Sequence, residues 1–263
     1  MSFLEALMQG IIQGLTEFLP VSSSGHLSLY QHFTGNNGEG ALLFSAVLHL
    51  GTLVAVFIAF RKTICELLVE LFYLIKDIFT GKFKWKAMNP QRRAIIMMVI
   101  SLAMLIPFYI FKDYFERAAE DSDIIIEGLC FLYTSVILFI SDRCVKGNKK
   151  FGDITTKNAV TVGTFQGIAL LPGISRSGST ISSGLFCGFE RETAVQYSFI
   201  LGIPAILGGC LLQVKDAVEQ KALEFDFVNF AVGFIVSAIV GICAIKMVNW
   251  LVKSDKFKVF AIY

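Results

Sequence analysis

QGLTEFLPVSSSGHL at residues 13–27 and QGIALLPGISRSGST at residues 166–180 decide how this chain is read. Each starts as an apolar helix, breaks at a proline and restarts through serine and glycine. The apolar runs that lead into the breaks, 3–19 and 158–171, are short for a bilayer span, which takes about 20 residues. Backbone that leaves the helix at membrane depth is tolerated only where protein buries it or where it lines a wet cavity. Both stretches therefore read as re-entrant hairpins, each entering and leaving on one side.

Around them lie five full apolar spans, at about 41–60, 92–111, 124–141, 193–214 and 228–252. Of 263 residues, 55% are apolar and 17% charged, against about 25% charged in a soluble domain. Mean hydropathy is +0.66. This composition excludes a disordered chain and a secreted disulfide scaffold, and it leaves too little polar surface to cover a soluble globule. The expected fold is an all-α polytopic membrane protein, one integral membrane domain over residues 1–263. The lipid bilayer is its first partner. A net charge of +2 gives no reason to expect nucleic acid, and a homo-oligomer is left open. The six cysteines form no CxxC pair and are read as reduced, packed residues. The N-terminus has no basic leader and no small-residue cleavage site, so it is not read as a removable signal peptide.

Lysine and arginine set the orientation. None occurs before Arg61, whereas 61–93 carries eight against three acids. Segment 142–157 carries five, and Lys253, Lys256 and Lys258 follow the last span. Loops 112–123 and 215–226 are dominated by acids. The signs alternate consistently only if both hairpins are re-entrant, the first opening outside and the second in the cytoplasm. The amphipathic stretch 64–79 is expected at the inner interface, or else as an extension of the preceding span.

Residue n laid over residue n+153, without gaps, aligns the two motifs. Gln13, Gly14, Ser22, Ser24 and Gly25 meet identical residues, and further on Ala41, Ser45 and Leu48 do the same. Three spans lie between the hairpins, so the second copy (about 155–263) would be inverted relative to the first (about 1–142). Inverted repeats with broken helices place a site where the hairpin tips meet, near the midplane. The symmetry also asks for one more span after Tyr263.

The tips carry the chemistry. Gln13 and Glu17 are four apart and share a helix face. A membrane carboxylate costs about 2.5–3.5 kcal/mol, so it needs a partner or a task. Ser22, Ser23, Ser24 and Gly25 open the returning helix with hydroxyls and backbone N–H groups, which suits an anion. His26 follows in the first turn. The second tip offers Ser175, Arg176, Ser177, Gly178 and Thr180, with Arg176 aligned over Ser23. Arginine grips phosphate with a two-pronged fork. Convergence of these groups reads as a phosphate or diphosphate site. His49 is left between a packing and a substrate-facing role, His32 is read as solvated, and Gln166 as a helix–helix contact.

QGLTEFLPVSSSGH resembles the (E/Q)xxxE segment and serine motif of bacterial undecaprenyl-diphosphate phosphatases, the bacitracin-resistance proteins, and PGISRSGST resembles their PGxSRSGxT signature. The likeness extends along the whole chain. It implies removal of the terminal phosphate of undecaprenyl diphosphate, which recycles the lipid carrier of peptidoglycan synthesis. It also implies a divalent cation (Mg²⁺ or Ca²⁺) near Glu17, and a bacterial plasma-membrane site facing outside. Glu17, Ser23, His26 and Arg176 would be the functional residues. Either Ser23, with His26 and Glu17 as base and orienter, or His26 itself would be the nucleophile. Many members have Glu at the place of Gln13. The competing expectation is a flippase for a polyprenyl phosphate, which inverted repeats favour directly because that architecture serves alternating access.

Overall fold

The computed structural model describes residues 2–34, 41–111, 125–171, 173–219, 226–254 and 256–263. These form helices α1 (Phe3–Thr16), α2 (Ser23–Thr34), α3 (Ala41–Ala59), α4 (Arg61–Phe79), α5 (Pro90–Ala103), α6 (Leu105–Ile110), α7 (Ile125–Asp142), α8 (Thr156–Ile168), α9 (Arg176–Phe186), α10 (Arg191–Glu219), α11 (Phe227–Lys253) and α12 (Lys258–Ile262). No β-strand occurs among them. The acidic loop 112–123 and residues 220–225 of the second acidic loop lie outside the described residues.

Five stretches are long and apolar enough to cross a membrane: 42–59, 90–110, 125–142, 191–219 and 227–253. They fall on the spans expected from the sequence, with one difference. The second is not continuous, because α5 ends at Ala103 and α6 restarts at Leu105. Pro107 has no N–H for the Ala103 carbonyl, and its ring crowds that carbonyl. The motif regions are broken as expected: α1 and α2 flank one gap, α8 and α9 the other. The 14 residues of α1 rise about 21 Å, short of a bilayer core.

α11 packs against both α1 and α3, and small residues let the backbones approach. A Cβ built on Gly51 would lie 2.1 Å from Ser237 Oγ and 2.5 Å from the Phe234 carbonyl. α10 covers α3 on another side and also packs on α9. The returning arm of the second hairpin, α9, is held between α7, α8 and α10. α4 is a separate helix, since Phe60 (φ −112°, ψ 22°) breaks the path from α3. Arg92 ties it to α5 through Glu70 at 2.6 Å and Asp77 at 2.8 Å, while Leu68, Val69, Phe72 and Ile75 stay exposed. All six cysteines are free thiols, and His32 is exposed in the last turn of α2.

Candidate active site

α1 delivers Gln13 and Glu17 to the interior. Gln13 Nε2 donates to Glu17 Oε2 at 3.0 Å, across one helical turn, and both residues are buried. The helix gives out at Glu17, and the chain turns through Pro20 to Ser22, which sits in the left-handed region at φ 70°. A non-glycine residue rarely adopts that conformation, and it tends to mark a functional turn. Here it starts α2: Ser22 Oγ accepts from the Gly25 N–H at 3.3 Å. The turn brings Ser23 back over the end of α1, where its Oγ donates to Glu17 Oε2 at 2.8 Å.

The second tip arrives from the other side. Ser175 caps α9, accepting from the Gly178 N–H at 3.1 Å, and its own N–H donates to Thr134 Oγ1 at 3.2 Å. Arg176 therefore starts the helix and points at the first tip, where its Nη2 pairs with Glu17 Oε1. Two weaker contacts join the tips, Ser177 Oγ to the Leu19 carbonyl at 3.4 Å and the Gly173 N–H to Ser24 Oγ at 3.5 Å. The guanidinium lies against Gly202 of α10, where a Cβ would stand 1.9 Å from Nη1.

Between the tips is a cavity of about 210 Å³. Its polar lining is Glu17, Ser22, Ser23, Ser24, Ser175, Arg176, Ser177, His49, Cys210 and Gln213, and its apolar lining includes Leu170, Ile174, Ile206 and Gly209. The N-termini of α2 and α9 both face it, so helix dipoles favour an anion there. Glu17 Oε2 holds the Ser23 hydroxyl within the reach expected of a nucleophile–base pair.

Most of the residues expected from the sequence meet here; some do not. His26 does not line the cavity. Its Nδ1–H donates to the Ser22 carbonyl at 2.8 Å, its Nε2 accepts from the Tyr263 hydroxyl at 3.2 Å, and its ring stacks on Tyr263. Its hydrogen bonds reach neither Ser23 nor Glu17: the ring bonds back to the carbonyl one helical turn earlier, as His49 does on α3. Gln13 lies behind Glu17. Thr180 is a turn below the tip, bonded to Ser198 at 2.6 Å. Gly25 and Gly178 are packing positions: a Cβ would meet the Phe131 ring at 2.7 Å and Pro20 at 3.2 Å, respectively. His49 and Gly202 come instead from α3 and α10. An ionisable side chain in an apolar span was the available signal for His49; nothing local marks Gly202.

For the expected cation, the cavity offers one carboxylate. Its oxygens already receive Arg176, Ser23 and Gln13, and no cluster of three His, Cys, Asp or Glu occurs among the described residues. That donor set fits an ion held chiefly by diphosphate oxygens and water, as Mg²⁺ commonly is. It does not form an all-protein cage.

The profile of the family described as "Bacitracin resistance protein BacA" matches residues 6–263. The chain belongs to that family. It is 37% identical to the "Undecaprenyl-diphosphatase" of Alkaliphilus metalliredigens (strain QYMF) over 263 residues, covering 100% of this chain and 95% of that protein. It is 39% identical to "Undecaprenyl-diphosphatase 4" of Bacillus thuringiensis subsp. konkukian (strain 97-27), covering 100% and 93%. With the "Undecaprenyl-diphosphatase" of Desulforapulum autotrophicum the identity is 40%, covering 100% and 95%. The two motifs that build the cavity lie inside the matched region of this BacA-family chain.

Proposed function

We propose that this chain hydrolyses undecaprenyl diphosphate to undecaprenyl phosphate and inorganic phosphate. The observation that carries the reading is the Ser23 hydroxyl on Glu17, with Arg176 on the other carboxylate oxygen, at the wall of a cavity faced by two helix N-termini. A flippase would need the arginine and the anion donors. It has no use for a hydroxyl held on a carboxylate. The names of the relatives favour the same side.

In this reading, the terminal phosphate enters between Arg176 and the starts of α2 and α9. Phosphoryl transfer asks a protein mainly for position and charge neutralisation, and these groups supply both. Ser23 Oγ attacks the terminal phosphorus and passes its proton to Glu17. The anhydride bond breaks, and undecaprenyl phosphate leaves with the bond's electrons. His26 holds the tip through the Ser22 carbonyl, one step removed from the reacting atoms. Ser22, Ser24, Ser175 and Ser177 surround the anion, with Gln13 steadying Glu17. A Mg²⁺ or Ca²⁺ ion carried on the diphosphate oxygens would neutralise charge as the anhydride breaks. The cavity is far too small for the isoprenoid chain, which leaves past Leu170, Ile206 and Gly209 into lipid.

The placement follows from charge. The basic segments 61–93 and 142–157 favour the cytoplasm, so the first tip opens outward from a bacterial plasma membrane. The offset of 153 supports reading 1–142 and 155–263 as inverted copies whose tips meet at the site. The deciding experiment is phosphate release from undecaprenyl diphosphate by purified protein in detergent, where no membrane separates two sides. Tight lipid binding without phosphate release would return the flippase reading to first place.

A further inference from the structure

His49 stands in the site with no task in the scheme above. Its Nδ1 is 2.8 Å from the Ser45 carbonyl, one turn back on α3. A carbonyl only accepts, so Nδ1 carries a proton, and in the neutral ring Nε2 presents a lone pair. Nε2 faces Glu17 Oε2 at 3.7 Å. That is two acceptors opposed, beyond direct hydrogen-bond reach, and such a gap suits a water that donates to either. Ser23 Oγ lies 2.8 Å from the same oxygen, so Oγ and Nε2 are no more than 6.5 Å apart. At the upper end of that range a phosphoryl group on Ser23 and one water fit between them, given reacting atoms about 3–3.5 Å apart before bond formation. The other charged or titratable groups lining this cavity are Glu17 from the α1 end, Arg176 from α9 and Cys210 from α10. α11 meets α3 at Gly51 through Phe234 and Ser237, which bring no charge. Cys210 is turned away, donating to the Ala46 carbonyl at 3.5 Å.

We propose that His49 takes the proton from the water that frees phosphate from Ser23. The inference rests on Ser23 being the nucleophile of the proposed hydrolysis. The water oxygen bonds to phosphorus, and one water proton goes to His49 Nε2. The bond from phosphorus to Ser23 Oγ breaks, and Oγ recovers from Glu17 the proton it gave in the first step. Inorganic phosphate leaves, and His49 returns its proton to solvent through the open cavity. The two half-reactions thus use different bases, Glu17 for the serine and His49 for the water.

The test uses undecaprenyl diphosphate labelled in its terminal phosphate, the purified full chain, and acid quenching on a fast timescale. In His49→Leu, phosphate release at saturating substrate should fall roughly 10²-fold, the order of one general-base contribution, with KM falling alongside it because the second step becomes limiting. Label should then accumulate on the protein toward one per chain, and Ser23→Ala in the same background should remove it. His49→Gln keeps a polar side chain of similar reach but gives up the proton acceptor. It should trap label as well, which covers the case in which His49→Leu does not fold. Turnover within a few-fold of wild type in both variants would overturn the proposal. So would slowed variants, folded by gel filtration, that carry no label. The wild-type arm is read separately: if it releases no phosphate, the hydrolase reading itself fails.

Discussion

Gly202→Ala adds one methyl group, and the structure says where it goes. The new Cβ would lie 1.9 Å from Arg176 Nη1 and 2.9 Å from its Cζ, whereas ordinary contact begins at 3.4 Å. The guanidinium must therefore move by about 1.5 Å. The atoms in the way are the tip of a long side chain, so α10 itself need not shift, and alanine in place of a helical glycine returns about 0.5–1 kcal/mol of backbone entropy. Stability should stay near wild type. Activity should not, because a misplacement of about 1 Å at a reacting centre can cost 10²-fold. The expectation is a fall in kcat of roughly 10²-fold, or about 2.7 kcal/mol of lost transition-state stabilisation, with the melting temperature little changed. The assay is phosphate release from undecaprenyl diphosphate beside thermal unfolding in the same detergent. Gly51→Ala is the contrast: its Cβ would meet the Phe234 backbone carbonyl, so it should lose folded protein first. Turnover within a few-fold of wild type in Gly202→Ala would refute the placement of Arg176 as a working part of the site.

Arg176→Lys keeps the charge but loses the fork that can span two phosphate oxygens, and kcat should fall by roughly 10²-fold; near-normal turnover would count against a phosphate-gripping arginine. Gly209→Phe fills the apolar mouth, where a Cβ on Gly209 meets nothing within 4 Å. It should raise KM for the C55 substrate more than it lowers kcat; equal effects on a short-chain analogue would argue that the chain leaves elsewhere. Gly81→Cys, in the connection after α4, should react with a membrane-impermeant thiol reagent only after the cells are opened, measured against a background with the native cysteines replaced. Labelling of intact cells would reverse the orientation.

The helices were legible because each leaves a local mark. A run of about 20 apolar residues, or a run cut by Leu-Pro and then Ser-Gly, says span or broken hairpin without reference to the rest of the chain. Arg176 facing the first tip was legible too, since the offset of 153 lays it over Ser23. His26 is where spacing and geometry part: three residues after Ser23 it looks like a natural relay, whereas its ring bonds the Ser22 carbonyl and Tyr263 and lies off the cavity. The residue that approaches Glu17 is His49, 32 positions further along the chain, and Gly202 matters through a side chain it lacks. Contacts of that kind depend on how α3 and α10 are rotated about their axes, which an apolar pattern with little amphipathic contrast leaves undetermined. The break at Met104 has its mark in Pro107, although the hydropathy of 92–111 runs through it.

The Glu17–Arg176 pair has a consequence for what the protein does between turnovers. The carboxylate acts as a resident anion: it occupies the arginine and joins the two tips at the wall of the cavity. Any phosphate that enters must win the guanidinium from a competitor that never diffuses away. Affinity for small anions is lowered by that contest. A diphosphate, with more charge and more oxygens to share among the arginine and the two helix N-termini, is better equipped to win it than the single phosphate left at the end. The same ion pair that assembles the site thereby helps to empty it.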